Sequence, residues 1–99
     1  MTVDGEFTYP RANLIVSRKG FSVEVRAPSG IRYTERDRVM EIFAEFLATP
    51  EPKIALRARD VRSWLEPHMA VEVTDSDRER IIENIRNAFA VKGWVLAVE

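Results

Sequence analysis

The sequence predicts an α+β fold: a mostly antiparallel sheet of four or five strands, an N-terminal β-meander and a central C-terminal strand, with two helices packed on one face. Three observations predict it. Residues 21–26 alternate strictly, with Phe21, Val23 and Val25 on one side and Ser22, Glu24 and Arg26 on the other, the period-two pattern of a half-buried strand. Two later stretches repeat apolar residues at helical spacing: Val39, Ile42, Phe43, Phe46 and Leu47, then Ile81, Ile82, Ile85, Ala88 and Phe89. Finally, Trp94-Val95-Leu96-Ala97-Val98 is an almost wholly apolar run, as expected of a strand covered on both faces and therefore central in its sheet.

Taken in order, residues 1–12 contain Gly5, Pro10 and few periodic apolar positions, and read as a free arm or an edge strand. Leu14-Ile15-Val16-Ser17 is the first clear strand, and Arg18-Lys19-Gly20 links it to residues 21–26 through a glycine suited to a left-handed position. Ala27-Pro28-Ser29-Gly30 has the proline and glycine placement of a type I turn, after which Ile31-Arg32-Tyr33 returns as a third strand. Thr34-Glu35-Arg36-Asp37 resembles a capping box and predicts a helix carrying the 39–47 stripe, stopped by Pro50 and Pro52. Residues 53–58 read as a fourth strand or an extended connector, and a single helical turn carrying Val61 and Trp64 follows. Residues 74–90 form the second helix, with Thr74 as N-cap, Asp75 and Asp77 in the first turn and Lys92-Gly93 at its end.

The 99 residues suffice for a single domain, 1–99, with one modest core. Fifteen basic and sixteen acidic residues leave a net charge of −1, too balanced to hold a polyanion by bulk field. There is no cysteine and a single histidine, which excludes disulfides, thiolate metal sites, a cysteine nucleophile and multi-histidine metal motifs. No cofactor is expected. No serine sits in a Gly-x-Ser-x-Gly elbow, and Asp75, Asp77, Glu79 and Glu83 are accounted for as a solvated helix face. No apolar run is long enough to span a membrane and no h-region precedes the first strand, so the expected location is the cytoplasm. The expectation is a protein that is not an enzyme.

Charge is unevenly distributed. Residues 53–62 hold Lys53, Arg57, Arg59 and Arg62 against Asp60, whereas residues 66–83 are mainly acidic. This is either an internal balance or a polarised face that steers a protein partner. Trp64 reads as a core lid or an exposed anchor, and His68 as a loop residue or an interface residue.

The second half resembles a known family. Trp64-Leu65-Glu66-Pro67 forms a Trp-x-x-Pro loop, Thr74 caps an amphipathic helix, and Lys92-Gly93 leads into the apolar run. Over about residues 12–99 the chain is similar to the immunity proteins of bacterial polymorphic-toxin and contact-dependent growth inhibition systems, specifically immunity protein 74; members carry Trp-Glu-x-Pro or Trp-x-Pro-Pro where this chain has Leu65 and His68. The resemblance implies a toxin inhibitor that binds the C-terminal toxin domain of a large secreted effector, usually a nuclease or other cytoplasmic poison, and occludes its active site. The residues expected to meet that partner are Trp64, Glu66, Pro67, His68, Glu72, Asp75 and Asp77, the carboxylates standing in for phosphates against a cationic groove. The other reading is a small protein-interaction or nucleic-acid-binding regulatory module acting through residues 53–62.

Overall fold

A computed structural model describes residues 5–26, 29–47 and 53–99. Its strands are β1 (Phe7–Arg11), β2 (Leu14–Ser17), β3 (Phe21–Arg26), β4 (Gly30–Glu35), β5 (Arg38–Leu47), β6 (Lys53–Leu56) and β7 (Val95–Val98). A 3-10 turn at Ala58–Asp60 and one helix, α1 (Asp75–Val91), separate β6 from β7. The seven strands lie in chain order in one curled sheet. All neighbours are antiparallel except β6 and β7, which are parallel because the chain crosses over through α1.

The alternation in β3 buries Phe21 and Val23 on the concave face. Register carries the pattern across the sheet: Ile15 faces Val23, Val23 faces Tyr33, and Tyr33 faces Met40. Helix α1 lays Ile81, Ile85, Ala88 and Phe89 onto this surface, all fully buried. Val61, Trp64 and Val73, from the segment between β6 and α1, complete the core. The helix begins as its sequence dictates: the Thr74 side chain accepts from the Asp77 amide, and Asp77 accepts from the Thr74 amide, each at 3.1 Å. It ends before Gly93, whose φ of 78° suits a residue without a side chain.

The structure corrects the expected architecture in three respects. First, the described residues form seven strands and one α-helix rather than four or five strands and two helices. The expected first helix is strand β5. Its apolar residues fit either period, but as a strand it buries Met40, Ile42 and Ala44 and pairs along the whole of β4, from Glu35↔Arg38 to Gly30↔Phe43. A helix here would satisfy its own backbone yet leave the β4 edge bare. Thr34 is therefore a strand residue opposite Val39, not a cap. Second, Phe43 and Phe46 are 49% and 37% exposed and do not share the core of Ile81, Ile85, Phe89 and Leu96. Third, β7 is an edge strand, not a central one. Leu96 faces the core, while Val95, on the other face, is 39% exposed; apolar composition on both faces did not require cover on both. Trp94 is half-buried, its ring 5.5 Å from Phe89.

The expected turn at 27–30 lies partly, and the expected stop at 49–52 wholly, outside the described residues. Among the described residues no helix is long and apolar enough to cross a membrane.

Candidate partner-binding site

A cleft of about 630 Å³ opens where two hairpin turns meet the start of α1. The β2–β3 turn supplies Lys19, the β4–β5 turn supplies Glu35 to Arg38, and α1 supplies Asp77, Arg80 and Asn84, with Phe21 also lining the cleft. The two turns are tied together by the Arg36 amide, which donates to the Gly20 carbonyl at 3.0 Å. Gly20 takes a φ of 102°, as its place in the link demanded, and Arg36 takes a φ of 57°, a left-handed conformation that non-glycine residues seldom adopt.

A polar network lines this space. Arg80 grips Glu35 with two hydrogen bonds, 2.8 and 3.0 Å, and reaches Asp77 at 2.7 Å. The Tyr33 hydroxyl donates to Glu35 at 3.0 Å and accepts from the Asn84 amide at 2.9 Å. Burial, reinforced by the negative Glu35, holds the Tyr33 phenol well above its ordinary range. The Asp77 carboxyl is pulled down from 3.8 to about 2, chiefly by Arg80 and then by the Thr74 backbone amide.

The expected site residues divide between core and rim. Trp64 is 1% exposed, a core residue rather than an exposed anchor; Arg38 lies over its ring at 5.9 Å. Glu66 and Pro67 are exposed, joined by a cis peptide bond. His68 is half-buried, with Nε2 3.5 Å from an Asp37 carboxylate oxygen. That contact brings the 64–68 loop against the β4–β5 turn and so to the rim of the cleft. Glu72 is exposed. Asp75 is exposed and paired with Arg78 at 2.6 Å. Asp77 is the one expected residue that lines the cleft itself.

Lys19, Glu35, Arg36, Arg38, Arg80 and Asn84 were not foreseen. The expected helix start at Glu35 to Arg38 hides their role as a hairpin turn; the spacing by two of Met40, Ile42 and Ala44, with Glu41 and Glu45 between them and only Phe43 out of pattern, is the signal for it. The basic segment is on the surface elsewhere: Arg57 and Arg59 line a shallow depression with Ala58 and Glu99, and Arg62 is exposed. Among the described residues no group of three or more His, Cys, Asp or Glu side chains is placed to hold a metal ion.

Glu35 and Asp77 are both ion-paired with Arg80, and the imidazole of His68 sits at the rim beside Asp37. The family model for immunity protein 74 matches residues 22–99. No curated protein and no solved structure matches the chain.

Proposed function

The chain belongs to the immunity protein 74 family, and from that membership we propose that it binds a cognate protein toxin and neutralises it by occluding its active site, without chemistry of its own. The family match over residues 22–99 carries the reading. The toxin is the C-terminal domain of a secreted effector, with a nuclease as the favoured activity, and the encounter takes place in the cytoplasm. The contact face is the edge built by the 64–68 loop and the start of α1. Glu66 and Glu72 project there with no ion pair among the described residues, and Asp75 beside them is almost fully exposed. Such carboxylates suit a groove built for phosphates.

The test is co-purification with the toxin domain encoded beside this chain, followed by a binding titration with the Glu66→Lys/Glu72→Lys double variant. Reversing the steering charge should slow association roughly tenfold at low salt. Unchanged association across a salt series, in a folded variant, would move the interface to another face. The second reading, a nucleic-acid module, draws on exposed Arg57, Arg59 and Arg62; binding of RNA or DNA with a steep salt slope and no toxin capture would favour it.

A further inference from the structure

We propose that the cleft between the hairpin turns and α1 receives an acidic loop of the partner protein, with a carboxylate side chain lodged among Lys19, Arg36 and Arg38. The immunity reading enters only in naming that partner as a toxin.

The polar groups of the cleft differ in how far they are already engaged. Two of the three carboxylates lining it, Glu35 and Asp77, are held by hydrogen bonds, and the third, Asp37, stands exposed at the rim. Glu35 accepts from Arg80 and Tyr33, Asp77 from Arg80 and the Thr74 amide, and Asp37 lies beside His68. The cations are different. Arg36 has no carboxylate partner among the described residues, and Arg38 stacks on Trp64 without an ion pair. Lys19 has one long contact, 3.7 Å, to Glu6 outside the cleft. Away from Asp37 at the rim, the remaining hydrogen-bonding capacity is therefore mainly donor capacity. A group that docks here must bring acceptors and negative charge, and two guanidinium planes match the paired oxygens of a carboxylate.

The backbone supports the same conclusion. Arg36 sits at the tip of the β4–β5 turn with φ 57°, fastened to Gly20. Glycine would take that conformation without strain. A bulky cation kept there, against local preference, points to a use for the side chain beyond closing the hairpin. The volume, about 630 Å³, is that of a ligand cleft rather than a lone-ion site. It has room for a short stretch of peptide. The neighbouring carboxylates, although paired, weigh against a dianionic phosphate and favour the singly charged side chain of Asp or Glu.

The cleft adjoins the acidic edge, with Asp37 and His68 between them. The face therefore presents both signs, and a partner must match both, which improves discrimination over a single-sign patch.

The test uses the isotope-labelled protein, observed by NMR, titrated with an end-blocked triglutamate peptide, an end-blocked trilysine peptide and inorganic phosphate. Triglutamate should shift residues 19–21, 35–38 and 77–84, weakly and with salt sensitivity, and trilysine should not. Arg36→Gly should retain the fold, because the turn accepts glycine, and weaken the triglutamate response at least about threefold. Equal shifts with trilysine, shifts spread over the surface, no shift, or a stronger response to phosphate would each overturn the proposal. A parallel titration against the toxin separates the two readings. A toxin that binds wild type, Arg36→Gly and Lys19→Glu equally well overturns the cleft proposal and leaves immunity standing. If no toxin binds, immunity fails, while the peptide result still decides the cleft.

Discussion

Arg80 and Glu35 meet across 45 positions of sequence in a two-pronged hydrogen-bonded pair, Nη2 to Oε1 at 2.8 Å and Nε to Oε2 at 3.0 Å. This pair fastens the second turn of α1 to the end of β4. Asn84, one turn further on, does the same through the Tyr33 hydroxyl. Helix docking is thus set by polar contacts at one end of the core and by apolar packing along it.

Removing either partner of that pair should lower stability, and a double-mutant cycle of Glu35→Gln with Arg80→Ala should give a coupling of about 1 kcal/mol, since the guanidinium is 43% exposed and partly screened. Urea denaturation of the four proteins measures it. A coupling near zero would make the pair incidental to docking.

The depressed Asp77 carboxyl sets an acid limit. With a folded-state value of about 2 against 3.8, the unfolded chain takes up the proton first as pH falls. The stabilisation is complete above about pH 4 and is lost on descending towards pH 2. Asp77→Ala should cost about 1 kcal/mol at neutral pH through loss of its part in the cap, and should flatten the stability profile between about pH 4 and pH 2. Denaturation midpoints across that range provide the check.

Tyr33 sets the alkaline counterpart. Its phenol is held above the ordinary value of 10.0 by burial and by Glu35. Above about pH 10 the unfolded chain loses this proton while the folded chain keeps it, so stability declines there. The difference in ultraviolet titration between wild type and Tyr33→Phe should show no phenolate step before alkaline unfolding. A reversible step near pH 10 in that difference would contradict the burial described.

Two phenylalanines distinguish the observed fold from the expected one. Phe89 is fully buried and Phe43 is 49% exposed. Phe89→Ala should cost roughly 3–5 kcal/mol, and Phe43→Ala should stay below about 1 kcal/mol. Thermal midpoints of the two variants decide the matter; comparable losses would return residue 43 to the core.

The β2–β3 hairpin and the capped helix were legible because local chemistry decides them: alternation in Phe21, Val23 and Val25, a glycine at the turn, and Thr74 with Asp77 at the helix start. Strand β5 was not, because Val39, Ile42, Phe43, Phe46 and Leu47 satisfy a helical period while Met40, Ile42 and Ala44 satisfy a strand period, and only the partner strands choose between them. The site suffered the same ambiguity. Reading Glu35-Arg36-Asp37 as a helix start concealed the turn, and the link from Arg80 to Glu35 is invisible to any pattern shorter than the distance between them. The sequence leaves Trp64 open between lid and anchor, since a tryptophan near a proline serves either use.

Because strand order equals chain order, a polypeptide leaving the ribosome can pair each antiparallel strand with the one just made, so loop closure is cheap at each of those steps. Cover for the concave face comes late. Ile15, Val23, Ile31 and Met40 are synthesised well before Ile81, Ile85 and Phe89, which shield them. Until α1 emerges, the nascent sheet presents a sticky apolar hollow to every other chain in its surroundings. Arrival of the helix is then the event that turns an aggregation hazard into a finished protein, and the rate of translation through residues 41–89 sets how long that hazard lasts.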